Sequence, residues 1–169
     1  CNFPPIIESW RNIGMESKYF SPSCDQSALD AAPVEATRDV CFIGSFSRHH
    51  TARAAVLERV ARLAAVLQVD FFLLRSLITQ VAQLPMFGPL LLRRYRMPLA
   101  ISAVASEPVF GDEAILEMKR SRVVINGGID GLVGKYRGNM RCFETLSVGT
   151  PMVTDAGIYP EGMVEGVHY

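Results

Sequence analysis

The feature that most constrains this chain is a helix-forming run that passes through a Gly-x-Pro turn into a short apolar strand, between Asn139 and Asp155. Asn139 suits a helix N-cap, because its short side-chain oxygen can accept a hydrogen bond from a free backbone N–H of the first turn. The following residues read as a short helix, with Phe143 and Leu146 three apart on one face. Gly149 fits the position just beyond the helix end, and Pro151 forbids continuation. Pro151-Met-Val-Thr then reads as a buried parallel strand. A helix joined in this way to a buried strand is half of an α/β unit. Two charged residues sit on that helix, Arg141 in its first turn and Glu144 at i+3. A helix N-terminus carries free N–H groups and partial positive charge, which suits a phosphate, and an arginine adds two-pronged donors. A carboxylate one turn further in can accept from paired sugar hydroxyls. The same two residues equally make an ordinary surface i,i+3 pair, worth a few tenths of a kcal/mol.

The rest of the chain repeats the pattern. Asp39-Val-Cys-Phe-Ile-Gly-Ser45 is a strand ended by Gly44, opening into a loop with Arg48, His49 and His50. A helix is expected over roughly 52–68, with Val56, Val60, Leu63, Ala64 and Leu67 as its buried stripe and Glu58–Arg62 as a pair on the wet side. Val69–Leu74 is the second strand. Ser76 caps a helix through Leu84, which Pro85 and Gly88-Pro89 break, and Leu90–Arg96 resumes helically. The apolar content of 75–97 raises membrane contact, but its interruptions and length favour buried helices under a loop. Pro98–Val104 is the expected third strand, Asp112 the cap of a helix through about Ser121, and Arg122–Asn126 the fourth strand. This alternation predicts an α/β fold, a Rossmann-like parallel sheet with helices on both faces. Ligands in such sheets bind at the carboxyl ends of the strands, where the 44–51 and 127–141 loops emerge. A strand, a Gly-Ser loop and a helix start bring backbone N–H groups of the first loop near a ligand.

The second loop, Gly127 to Gly138, is glycine-rich and basic, yet it is not a Walker A motif. Ile129 stands where the first glycine is required, and Tyr136 follows Lys135 where Ser or Thr is required. No G-x-G-x-x-G follows a strand either, which disfavours nucleoside-triphosphate hydrolysis and nicotinamide binding.

With 169 residues, 49% apolar and 20% charged, one globular domain with a sizeable core is expected. Lys plus Arg and Asp plus Glu are equal at 17 each, so no net field draws nucleic acid or an anionic membrane. Cys1, Cys24, Cys41 and Cys142 have no C-x-x-C spacing and no neighbouring His, which suggests neither zinc nor a disulfide framework; Cys41 and Cys142 are expected to be buried thiols. No signal peptide and no 18-residue apolar run is present, so no integral membrane segment and a cytoplasmic location are expected. Residues 1–38 read as connecting structure with at most one short strand or turn of helix, and Gly166-Val-His-Tyr169 as strand-like. The chain reads as a piece of something longer.

Several of these motifs carry a resemblance. Arg141-x-Phe-Glu-x-x-x-x-Gly-x-Pro-x-Val-Thr-Asp155 resembles the donor-site helix and following strand of GT-B glycosyltransferases, in the group-1-like branch that includes spore-maturation CgeB-type proteins. Asp39-Val-x-Phe-Ile-Gly-Ser45 and Gly14-Met-x-x-x-Tyr-Phe-x-Pro22 are similar to text of the same family, the latter leading into its second Rossmann-like domain. The likeness spans roughly 14–169 and is thin between 75 and 105. It implies a nucleotide-sugar-binding domain at 39–169, with 1–38 as an interdomain connection and an N-terminal domain holding an unknown acceptor elsewhere. It implies a nucleotide-sugar donor as substrate, with no other cofactor and no metal, in keeping with the absence of Asp-x-Asp. Glu144 would hold the donor ribose. Lys135, Arg137 and Arg141 would lie near its diphosphate, with Arg141 and Lys135 stabilising the leaving group. Gly44, Ser45, Arg48, His49 and Asn139 would complete the donor site. Many retaining members carry two glutamates separated by seven residues; the second falls at Glu144, but Tyr136 occupies the first. The alternatives are a non-catalytic Rossmann-like nucleotide-binding or interaction module, and a sugar-nucleotide epimerase of the same architecture.

Overall fold

The computed structural model describes residues 4–20, 22–23, 26–30, 32–47, 49–85, 92–128 and 136–169. Helices α1 (Pro4–Asn12) and α2 (Gln26–Asp30) precede strand β1 (Arg38–Phe46). Helix α3 (Thr51–Ala61) tightens into a 3-10 turn at Arg62–Ala65 and leads to β2 (Val69–Arg75). Then come α4 (Leu77–Gln83), a 3-10 turn at Arg93–Tyr95, α5 (Leu99–Ala103) and β3 (Ala105–Ser106). Helix α6 (Gly111–Lys119), β4 (Ser121–Asn126), α7 (Met140–Ser147) and β5 (Met152–Thr154) follow.

Among the described residues the five strands form one sheet, ordered β3-β2-β1-β4-β5, and every pairing is parallel. The order reverses between β1 and β4, which makes their carboxyl ends the switch point of a doubly wound, Rossmann-like sheet. Strand alternation divides the core in two. Phe42, Phe46, Phe71, Leu73 and Ile125 face α3 and α5 together with Leu57 and Ile101. Cys41, Ile43, Phe72 and Val124 face the other way, onto Ala114 and Met118 of α6. The rings of Phe42 and Phe71 meet edge to face at 6.0 Å across neighbouring strands.

The strands expected at 39–45, 69–74, 122–126 and 151–154 are all present, shifted by a residue or so. Gly149 takes φ 71° beyond α7, as its place at the helix end requires. Several expectations need correction. The run 98–104 is helix α5 rather than a strand, and the third strand is only Ala105–Ser106. An apolar run of this length has no period that separates a buried helix from a buried strand, and here Ile101 packs into the core from a helix. Residues 4–12 form a helix anchored by Ile7, and 165–168 are turns rather than strand.

The buried stripe of α3 is also rotated. Ala54, Leu57 and Ala61 are buried, whereas Leu63, Ala64 and Leu67 are exposed because the α-helix ends at Ala61. Two alanines on the contact face let the helix sit close to the sheet. Finally, α6 begins after Phe110, so Asp112 lies within its first turn and makes no capping bond. Ser76 does cap α4, its Oγ accepting from the Thr79 N–H at 3.3 Å, but between 90 and 96 only Arg93–Tyr95 is helical among the described residues.

Candidate functional site at the carboxyl edge of the sheet

Every helix that follows a strand in a parallel sheet starts at the carboxyl edge, so the N-termini of α6 and α7 both open there. Between them lies a groove of about 360 Å³, lined by Val109, Phe110, Gly111 and Asp112 on one side and by Met140, Arg141 and Glu144 on the other. Arg141 and Glu144 are therefore brought together, and they meet directly: Arg141 Nη1 donates to Glu144 Oε2 at 2.8 Å, with both side chains largely covered. Arg141 Nη1 also touches Met118 Sδ at 3.4 Å, while its Nε is buried without a hydrogen-bond partner.

Asn139 occupies the N-cap position of α7, but its side chain makes no capping bond. Its amide donates to Asn126 Oδ1 at 3.0 Å, and its oxygen accepts from the Cys142 thiol at 3.3 Å. A buried amide on β4 holds it instead. Asn126 in turn donates to Cys142 Sγ and to Thr154 Oγ1, and Thr154 shares a 2.7 Å hydrogen bond with Tyr159, whose hydroxyl also donates to the Asp155 carbonyl. Asp155 closes the set, its carboxylate accepting from the Gly128 N–H at 2.6 Å. This network ties β4, β5 and the start of α7 together, leaving the backbone N–H groups of that turn unclaimed by the Asn139 side chain.

Burial within that network pushes the Cys142 thiol from 9.0 up to about 11, opposed by its hydrogen bond with Asn126. Burial likewise pushes Tyr159 up to about 12. Cys142 and Cys41 are buried free thiols, as their positions in core elements predict. Below pH 9 both folded and unfolded chains keep the Cys142 proton. As pH rises from 9 toward 11 the unfolded chain releases it and the folded chain does not, so stability falls. The expected loss is about 2 kcal/mol between neutral pH and roughly pH 10.5. The difference between the wild-type and Cys142→Ala chains in urea midpoints at the two pH values measures it, since burial pushes Cys41 and Tyr159 up as well; an equal slope in the variant would remove Cys142 as a source.

Of the other sequence-derived candidates, Arg48 and Lys135 lie outside the described residues. His49 is exposed, with its ring 6.4 Å from that of Tyr95. Gly44 and Ser45 end β1 as expected, yet the space a side chain would take at Gly44 is filled by the Phe42 ring, 2.9 Å from where a Cβ would stand. Gly44 thus serves the core of its own domain. Arg137 lines a neighbouring depression with Tyr19, Tyr136, Tyr159 and Pro160, separate from the Arg141–Glu144 groove. Tyr136 bridges Ile158, and the Arg137 N–H donates to the Ile158 carbonyl at 2.8 Å.

One residue escaped the sequence reading. Arg53, in the first turn of α3, is 8% exposed and donates to the carbonyls of Ser45, Gly127 and Gly128. It spans the switch point, joining the end of β1 to the segment after β4. Its only local signal is a basic residue one position before the buried Ala54.

Among the described residues no group of three or more His, Cys, Asp or Glu is placed to hold a metal ion, and no helix is long and apolar enough to cross a membrane. Comparison with known protein families gives no match, and no curated protein matches the chain. The class that the sheet itself defines is an α/β, Rossmann-like domain.

Proposed function

We propose that this chain is the donor-binding half of a glycosyltransferase of GT-B organisation, which moves a sugar from a nucleoside-diphosphate sugar to an acceptor. The observation that carries the reading is the groove at the carboxyl edge, where a guanidinium and a carboxylate stand one turn apart at the start of α7 and face the N-terminus of α6. The N-terminus of α7 and Arg141 supply positive charge for a diphosphate, whereas Asp112 and Glu113 offset that of α6, and the buried, unpartnered Nε of Arg141 is a donor in waiting. Glu144 supplies the acceptor that ribose hydroxyls require. Stabilising the diphosphate as it leaves is then electrostatic work by donors already in place.

Calorimetric titration with UDP and GDP, beside Glu144→Ala, tests this. The variant loses hydrogen bonds to a charged acceptor and should bind about tenfold or more weakly, a loss of about 1.5–3 kcal/mol. Equal binding by the variant, or no binding of either nucleotide at millimolar concentration, overturns the donor site.

A second reading draws on the Arg141–Glu144 contact itself. At 2.8 Å the contact already engages Arg141 Nη1 and Glu144 Oε2 with each other, and Tyr136 stands where the family's other glutamate would. That favours a nucleotide-binding module without catalysis. It predicts nucleotide binding with no release of sugar from any nucleoside-diphosphate sugar, whereas a transferase releases it slowly to water.

A further inference from the structure

Helix α4 is packed with its apolar side outward. It buries Thr79 and Ala82 against the domain and exposes Leu77, Ile78 and Val81; Leu77 is 76% exposed, and Leu84 at its C-terminal cap 51%. Leu77, Val81 and Leu84 are spaced i, i+4 and i+7, so they form a single stripe. The buried-helix expectation for this region therefore fails for α4. The 3-10 turn that packs on α4 carries Arg93 and Arg94, both exposed, and Arg96 follows half-buried. The Arg94 guanidinium lies 4.7 Å above the Tyr95 ring, which orients it. Arg75, at the end of β2, pairs with Glu107 at 3.1 Å.

The charge pattern here departs from the rest of the chain. From 71 to 106 the sequence holds Arg75, Arg93, Arg94 and Arg96 and no Asp or Glu, although the whole chain is balanced at 17 basic and 17 acidic residues. An apolar stripe beside charge of one sign asks for two things at once, an apolar phase and anions at its boundary.

We propose that α4 and the Arg93–Arg96 turn dock on an anionic phospholipid surface. The Leu77–Val81–Leu84 stripe enters the boundary between headgroups and acyl chains, and Arg93 and Arg94 meet lipid phosphates. Interfacial helices bind in this way, by buried apolar area together with attraction to anionic lipids. This stands apart from the donor site, since none of these residues lines the Arg141–Glu144 groove.

Co-sedimentation of the full chain with vesicles tests it. The chain should pellet with phosphatidylcholine vesicles in which roughly a third of the lipid is phosphatidylglycerol, remain in solution with phosphatidylcholine alone, and release at high salt. Reversing two charges in Arg93→Glu/Arg94→Glu should weaken partitioning by at least about twentyfold. Leu77→Ser/Leu84→Ser should weaken it at low salt although every charge is kept, with the fold of both variants checked by circular dichroism. No pelleting with anionic vesicles, or equal binding to neutral ones, overturns the proposal. So does concentration-dependent self-association that Leu77→Ser/Leu84→Ser abolishes, since a second copy of the chain would then cover this face.

Discussion

Arg53→Met is expected to lower stability by about 3 kcal/mol and the thermal midpoint by roughly 6–12 °C. Methionine keeps most of the aliphatic reach, so the substitution removes donors and charge with little loss of packing. The guanidinium serves the Gly127 carbonyl at 2.9 Å, Gly128 at 3.2 Å and Ser45 at 3.4 Å. Hydrogen bonds to a charged donor contribute about 1.5–3 kcal/mol each. The carbonyls lie at the sheet edge and regain some water when the arginine is gone, so the total falls well short of three full bonds. Arg53→Lys keeps the charge on a single ammonium that cannot span all three carbonyls, and should recover about half. Urea unfolding of the three proteins decides it. A loss below about 1 kcal/mol would mean that the end of β1 and the segment after β4 do not depend on this arginine.

Glu117→Leu should cost about 3 kcal/mol, and Arg38→Met in the same chain should return most of it. Glu117 is 8% exposed and sits between two arginines, Arg38 Nη1 in direct contact and Arg120 Nη1 at 3.0 Å. Arg38 is itself largely buried, with its guanidinium 5.0 Å from the centre of the Phe72 ring and its Nε 3.3 Å from Asp70. The Arg38–Glu117 contact is close but not aligned as a hydrogen bond, so its worth is mainly Coulombic. Removing the carboxylate strands a buried cation, which typically costs about 3–5 kcal/mol. The half-exposed Asp70 compensates in part, which places the expectation at the lower end. Replacing both partners leaves apolar groups in an apolar setting, so the two changes should be strongly non-additive. Additive losses in the double variant would show that the pair does not couple.

Neither of these two sites is legible in the sequence, because each joins residues far apart along the chain. The β-prone runs at 39–45, 69–74 and 122–126 gave strands because each is apolar along its length and bounded by turn residues, a signal that lies within the strand itself. The Gly149-x-Pro151 turn was legible for the same reason, since φ and the missing proline donor act locally. The run 98–104 was not, because apolar content without a clear period fits a buried helix and a buried strand equally. The stripe on α3 was misplaced by roughly one position, because where a helix stops decides which side chains can continue its face. Arg141 and Glu144 were legible as a pair from i,i+3 spacing, and they are one.

From the sequence alone came the α/β class, most of the strand positions, the buried thiols and the candidate pair on α7. All of these follow from the chemistry of neighbours a few residues apart. Only the tertiary structure decided that Asn139 turns from its own helix to Asn126, and that Gly44 makes room for Phe42. It also decided that Arg53 closes the switch point through partners 74 and 75 residues away. A buried polar group takes whichever partner the packing brings within about 3 Å, and that choice is settled by how strands and helices are laid side by side, which no local spacing encodes.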